Sequence, residues 1–295
     1  MLYMLILFAP VLAFGAPPNQ GVSVLVTGAT GRTGQFVYAY LKADSRIAEV
    51  RALVHGSGTG SPEERKKAAA ALNCSACDSS EGIFYGDVTV PSTLTAAFHG
   101  MDTVAITSLV GFINNDTKTK EVAFVGLQNQ AAAIVAGASD VTAKRIVVCS
   151  SMGTSISPFG PQPSHGPPAF LKDIFFWQLN AEAFLGASGI PNAIVKPCGL
   201  SMDGRGRKEL LVGHDDKLPH HGSISRQDVA AVMVEAIASR ASGVRFDLCV
   251  GSGAPTTNLA KLLEDARYPW AKRGPTAEKR VPLVSDHVIH EAINV

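Results

Sequence analysis

Short apolar runs alternate with longer amphipathic stretches along most of this chain, and the alternation predicts an architecture before any motif is considered. The apolar runs lie near residues 22–27, 48–54, 82–85, 102–107, 145–150, 192–196 and 244–250, bounded by Gly, Asp and Ser, and read as strands. The stretches 34–42, 63–72, 89–98, 121–138 and 170–187 read as helices. Pro91 falls in the first turn of the third, where a missing N–H is harmless, and the alanine-rich 121–138 is long enough for about five turns. A proline-rich loop at 158–168 precedes the last of them. Ser225-Arg226-Gln227-Asp228 opens a further helix as a near capping box, with Ser225 accepting from the backbone and Asp228 favourable beside the helix N-terminus. Strand and helix in alternation imply βαβ units, and therefore an α/β fold with a doubly wound parallel sheet in a three-layer α/β/α arrangement. No repeat or linker interrupts 21–270, which reads as one domain with a small C-terminal substrate region. The charge-rich stretch 271–295 reads as a surface tail with one short helix.

Composition sets limits on this picture. A chain of 295 residues, 46% hydrophobic and 17% charged, can cover a large sheet on both faces. With 26 basic against 25 acidic side chains the formal charge is +1, so charge gives no reason to expect a nucleic-acid partner. Residues 1–16 carry no Lys, Arg, Asp or Glu. Their apolar stretch 2–14 is shorter than the about 20 residues of a membrane span but matches the hydrophobic region of a signal peptide. Small residues at Ala13, Gly15 and Ala16 offer cleavage positions, although a positive leading region is missing. The expectation is a signal-like segment serving the secretory route or onward passage to an algal plastid, with no membrane span after cleavage. The alternative is an uncleaved apolar extension or mis-assigned start on a cytoplasmic protein.

The cysteines at 74, 77, 149, 198 and 249 are too few and scattered for a disulfide-framed domain. Cys74-Ser75-Ala76-Cys77 is the only close pair, and it reads first as incidental in a loop, with a redox disulfide or half of a metal site as alternatives. No second pair or His-x-x-x-His completes four ligands, so no metal is expected. Cys198 reads as a small buried residue. Asn73-Cys74-Ser75 and Asn115-Asp116-Thr117 are glycosylation sequons that matter only on a secretory route.

The most informative phrase is Val26-Thr27-Gly28-Ala29-Thr30-Gly31-Arg32-Thr33-Gly34, in which a strand runs straight into three glycines spaced three apart. Gly28 permits a sharp turn, Gly31 a close backbone approach to a pyrophosphate, and Gly34 tight packing of the next helix on the sheet. The diphosphate would rest on the free N–H groups of the helix beginning near Arg32. At the end of the second strand, Leu53-Val54-His55-Gly56 carries no acid to accept from a ribose 2′-hydroxyl. Arg32 is placed to meet a 2′-phosphate and His55 to add a donor, so NADP(H) is the expected cofactor. The plainer reading of Arg32 is a solvated helix-start residue.

With these features in place the chain resembles the atypical short-chain dehydrogenase/reductases, specifically their NmrA-like, plant-type NAD(P)-binding group, over roughly residues 21–270. The resemblance rests on the Thr27 to Gly34 turn, Gly86-Asp87, Thr107-Ser108, Ser150-Ser151-Met152-Gly153, and Lys196-Pro197-Cys198-Gly199-Leu200 where relatives usually have Arg-Pro-x-Gly-Leu. Arg207-Lys208-Glu209-Leu210-Leu211-Val212-Gly213 and Ser225-Arg226-Gln227-Asp228-Val229-Ala230 look like the plant members. The resemblance implies a Rossmann fold whose cofactor contacts come from Gly28, Thr30, Gly31, Arg32, Thr33 and Gly34, with His55, Asp87 and Val88 at the adenosine end. Thr107 and Ser108 would line the path to the nicotinamide ribose, and Ser150 and Pro197 would lie near the nicotinamide. Asp87 reads equally as a turn residue after Gly86.

The acid–base pair of the superfamily is a tyrosine and a lysine four residues later. Phe176 and Asn180 occupy those positions here, and neither can do that work. Tyr38 with Lys42 and Tyr268 with Lys272 match the spacing in the wrong places. Ser150 and Ser151 remain as candidate catalytic hydroxyls for a substrate carbonyl. Three readings follow: an NADP(H)-dependent reductase of a carbonyl, quinone or similar electrophile, drawing its proton from water; a non-catalytic NADP(H) sensor or scaffold; and a module binding another partner, RNA included, on a retained Rossmann scaffold. The loops 158–173 and 200–219 would shape the substrate site.

Overall fold

The computed structural model describes residues 21–108, 115–155, 171–218 and 222–268. The targeting-like segment, the proline-rich loop, Lys272 and the tail 271–295 lie outside the described residues. In chain order the elements are β1 (Val22–Thr27), α1 (Gly34–Ala43), β2 (Ile47–His55), α2 (Pro62–Leu72), β3 (Ile83–Gly86), α3 (Thr95–Phe98) and β4 (Thr103–Ile106). They continue through α4 (Asp116–Thr119), a π-helical turn (Lys120–Val125), α5 (Gly126–Val135), β5 (Arg145–Cys149), α6 (Lys172–Ala187) and β6 (Asn192–Pro197). The chain then forms β7 (Leu200–Ser201), β8 (Leu210–Gly213), β9 (Ile224–Ser225), α7 (Arg226–Ala238), β10 (Val244–Val250) and α8 (Leu259–Asp265).

Eight strands form one sheet in the order β3-β2-β1-β4-β5-β6-β10-β8, parallel except for β8, which runs antiparallel to β10 at the edge. β7 and β9 make a separate two-stranded pair. Successive side chains of a strand face opposite ways, so Val24 and Val26 of β1 join one core layer with Val37, Leu41 and Met233, while Leu25 joins the other with Ile106, Ile146 and Leu185. A strand buried on both faces is what a covered parallel sheet requires, and this is why the β1 sequence is apolar without alternation. Strand order reverses between β1 and β4, and a doubly wound sheet binds its ligand in the crevice at the C-terminal ends of such strands. No described helix is long and apolar enough to cross a membrane.

Several expectations change in detail. The helix expected over 89–98 is a short 3₁₀ turn at Pro91–Thr93 followed by α3. That expected over 121–138 begins earlier, because Asn115 caps it by accepting from Lys118 N, and it passes through the π-helical turn before α5. Asp228 does not complete a capping box; its carboxylate accepts from Gly206 N at 2.8 Å, while Ser225 caps α7 as expected. Cys74 and Cys77 take the disulfide alternative, and the reading of Cys198 is corrected. Cys74 and Cys77 form a disulfide, and Cys198 is bonded to Cys249 rather than being a lone buried thiol. The second pairing follows from β6 and β10 lying side by side with Pro197 opposite Leu248, which brings their ends together. Cys149 stays free and buried, and burial pushes its thiol up to about 12.

Candidate functional site

The glycine turn leaves β1 at the switch point. Gly28 has φ +70°, a left-handed conformation, and a Cβ there would stand 2.8 Å from Ser108 N at the end of β4. Gly31 N donates to Gly28 O at 2.8 Å, which closes the turn. Gly34 opens α1 directly beneath it, where a Cβ would lie 2.6 Å from Thr107 Oγ1. The buried hydroxyl of Thr107 donates to Thr27 O at 2.7 Å and binds β4 to the turn. Thr33 caps α1 without a side-chain hydrogen bond, and the N–H groups of Gln35 and Phe36 donate to the carbonyls of Gly31 and Thr33 at 3.1 and 3.0 Å. Thr30 is half-buried and Arg32 exposed. Burial lowers the pKa of Arg226 at the start of α7, and the nearby charge of Arg32 lowers it further.

An open depression of about 510 Å³ lies beyond the ends of β2 and β3, bordered by His55, Ser57, Glu63, Glu64, Lys67 and Asp87. His55 Nε2 stands 3.4 Å from Asp87 Oδ2. Asp87 also takes the Thr89 N–H and hydroxyl at 2.8 Å each. Burial would push this carboxyl up, but the Thr89 donors and His55 outweigh it and hold it below its ordinary value. Asp87 is thus both the turn residue and a wall of the depression. Val88 is buried behind it, with its carbonyl accepting from Asn129. Glu64 looks like the missing acid, but its two oxygens accept from Ser57 N at 2.8 Å and Ser61 N at 2.7 Å in the capping box of α2. Those N–H groups hold its carboxyl below the usual range.

The ends of β5 and β6 carry two charge networks that the sequence does not announce. Ser150 donates to Glu182 of α6, which also takes Arg245 Nη2 of β10 at 2.7 Å and Thr154 Oγ1 at 3.3 Å. Ser151 Oγ donates to Met152 O at 2.9 Å. Both candidate catalytic hydroxyls therefore point their protons into the protein. A cavity of about 20 Å³ between β4, β5 and α6 is lined by Ser108, Ser150, Gln178 and Glu182 among others, and Ser108 Oγ and Gln178 Oε1 are buried there without a hydrogen-bond partner among the described residues. Asn180 donates to Phe176 O at 2.7 Å, back onto its own helix.

Lys196 of β6 is fully buried between Asp216 at 2.9 Å and Asp247 at 3.3 Å. Asp216 also accepts from Gly153 N and Ser155 N, so the loops after β5 and β8 meet on it. Burial pushes Asp216 up, but those N–H groups and Lys196 prevail and depress it; at Asp247 burial prevails and raises it. Pro197, the next residue, is buried in the last position of β6.

The crevice fits a dinucleotide on its own geometry: three glycines whose missing Cβ atoms clear the backbone, an N-terminus without a side-chain cap, and a buried Ser108 hydroxyl at the β4 end. The family profile described as NAD(P)H-binding matches residues 28–240, which begin on that turn. The chain belongs to the NAD(P)H-binding family. As a family member it is 32% identical over 271 residues to an uncharacterised chloroplastic protein of Arabidopsis thaliana, covering 84% of this chain and 76% of the relative. It is 27% identical over 300 residues to the sanguinarine reductase of Eschscholzia californica, covering 86% of this chain and all of the relative (100%). A putative NAD-dependent epimerase/dehydratase from Bacillus halodurans shares the fold, with TM-score 0.62 and 22% identity over 83% of this chain and 100% of that one. The NAD(P)H-binding assignment and the Rossmann-type sheet agree with the resemblance to atypical short-chain dehydrogenase/reductases.

Glu182, Arg245, Asp216 and Asp247 were not among the residues singled out from sequence. Only Glu182 carried a signal, lying two positions beyond Asn180 on the same helix.

Proposed function

We propose that the chain is an NADP(H)-dependent reductase of a small electrophile, a carbonyl, a quinone or a chemically similar group, of the NmrA-like type. The observation that carries this reading is the glycine turn opening an α1 N-terminus without a side-chain cap onto the β1/β4 switch point. The reductase of Eschscholzia californica, similar over the whole of its length, supports reduction as the reaction. Arg32, with the charge of Arg226 nearby, supports the phosphorylated cofactor, as do His55 and Lys67 at the depression. β2 ends on His55 rather than an acid, and the Glu64 carboxylate is already engaged by two backbone N–H groups.

A reduced nicotinamide bound here supplies a hydride to the electrophile. The residues of this chain position and shield. The glycine turn and α1 hold the diphosphate, Thr107 fixes β4 against the turn, and Ser108 offers a hydroxyl at the β4 end. No side chain in the superfamily's acid–base positions donates the proton of the product, because Phe176 has none and Asn180 is turned onto its own helix. Ser150 and Ser151 donate inward, so water is the proton source. The test is NADPH oxidation, followed at the nicotinamide absorbance, against a panel of aldehydes, ketones, quinones and iminium compounds. Turnover of any class supports the reading, and tight NADPH binding without turnover across the panel contradicts it.

A second reading, a dinucleotide sensor without turnover, is favoured by those same occupied hydroxyls and by Phe176 and Asn180. The chloroplastic relative supports a plastid destination, with residues 1–16 as part of the targeting segment. Import of a fluorescent protein carrying residues 1–20 checks this, and retention in the cytosol contradicts it.

A further inference from the structure

The loop that walls the nucleotide depression rests on two struts, and both stand on the Cys74–Cys77 disulfide loop. The first is Tyr85, whose ring fills the space a Cβ of Gly60 would need, 2.7 Å away, and whose hydroxyl donates to Cys77 O at 2.8 Å. The second is Arg65 in the first turns of α2, which donates to Gly60 O at 2.8 Å and to Ala76 O at 3.0 Å. The loop between Gly56 and Ser61 and the start of α2 carry Ser57, Glu63, Glu64 and Lys67, which border the depression. α2 itself ends on Asn73, immediately before Cys74, so its C-terminus is anchored to the same bridge. Glu81 completes the anchor by accepting from Ser75 N and Cys77 N.

We propose that Cys74–Cys77 is a thiol–disulfide exchange site whose state sets the shape of the nucleotide depression, oxidised for tight cofactor binding and reduced for weak binding. The co-reactant is a dithiol. One of its thiolates attacks the half-buried Cys74 Sγ, and the S–S bond breaks with its electron pair leaving on Cys77 Sγ, which takes a proton. The second thiol of the dithiol then displaces Cys74 as a thiol, so two cysteines are reduced while the dithiol becomes a disulfide. Cys77 Sγ lies 3.2 Å from Cys74 O, an acceptor for the new thiol proton. Cys198 and Cys249 are 6% and 0% exposed, which shields that bridge from the same attack. Once the four-residue ring opens, the Ala76 and Cys77 carbonyls are held only through Glu81, and Arg65 and Tyr85 lose part of the footing that holds the Gly56 to Ser61 loop.

The cofactor arm rests on the dinucleotide reading above. The experiment treats the full chain with graded dithiothreitol, locates the reduced cysteines by alkylation and mass spectrometry, and reads hydrogen exchange over residues 56–67 and the NADPH dissociation constant. Cys74 and Cys77 are expected to be alkylated before Cys198 and Cys249, with faster exchange over 56–67 and NADPH binding weakened at least about fivefold. The double variant Cys74→Ser/Cys77→Ser is expected to show the reduced-state affinity and no response to dithiothreitol. Unchanged exchange and affinity with both cysteines alkylated overturns the proposal. Faster exchange with no NADPH binding in either state overturns the cofactor arm together with the dinucleotide reading, whereas NADPH binding that ignores the disulfide overturns the switch alone.

Discussion

Ser150 gives its hydroxyl proton to Glu182, which holds Arg245 on its other oxygen. These contacts tie the end of β5, α6 and β10 together. Glu182→Gln keeps an acceptor for Ser150 but removes the charge facing Arg245. The expected cost is about 2–3 kcal/mol, below the range for a fully buried pair because the Arg245 side chain remains 24% exposed. Urea unfolding measures it, and a change within error would show that the pair contributes nothing net.

If water supplies the proton, Ser150→Ala alters turnover without moving its pH profile. The check is kcat/KM against pH for variant and parent with whichever electrophile the panel reveals. Loss of an ionisation from the profile would make Ser150, with Glu182 behind it, the proton donor.

Lys196 is paired with two aspartates and has no exposed surface of its own. Lys196→Met leaves Asp216 and Asp247 facing each other, and a destabilisation of about 3–5 kcal/mol is expected from breaking a buried ion pair on one side. Differential scanning calorimetry reads it as a lowered Tm. Because Asp216 also holds Gly153 and Ser155, the same variant is expected to raise hydrogen exchange at those two amides.

The two aspartates respond to acid in opposite senses. Asp216 is depressed in the folded chain, so its contribution is complete above the unfolded carboxylate pKa of about 4 and is lost as the pH falls through the native value. Asp247 is raised, so its ionisation opposes folding and protonating it relieves that cost on the way down. Asp216→Asn removes the first and also one of the charges that raise Asp247, whose burial remains. Its Tm is therefore expected to fall less steeply than that of the parent below about pH 4. A steeper fall would contradict the depressed value at Asp216.

Gly34→Ala places a methyl group against Gly28 O and 2.6 Å from Thr107 Oγ1. The expected effect is about 1–3 kcal/mol of overpacking and a glycine turn displaced from its clamp. Circular dichroism and NADPH titration together check this; unchanged affinity in a folded variant would mean that the turn does not need its close packing.

What was legible in the sequence was local. Gly28, Gly31 and Gly34 announce the turn because each acts within a few residues of the others, and β1 announces itself by being apolar on both faces. What was hidden depends on register between distant segments. Lys196 meets Asp247 only because β6 and β10 pair with those residues opposite, and Cys198 reaches Cys249 across 51 residues for the same reason. Asp216 joins them from a left-handed turn at φ 58°, a conformation that no pattern of apolar residues encodes. Glu64 misleads in the other direction, since it is an acid near the end of β2 whose oxygens are already taken by its own helix cap. At Ser150 the residue type suggested a catalytic hydroxyl, and Glu182 decides where its proton points.

Under the proposed function the glycine turn holds NADP(H) and Arg32 reads its 2′-phosphate. Titration of the chain with NADPH and NADH, repeated on Arg32→Ala, decides between the cofactors. The expected result is NADPH bound at least about tenfold more tightly than NADH, with the variant losing most of that difference while keeping its NADH affinity. Equal binding of the two cofactors with no change in the variant would contradict it.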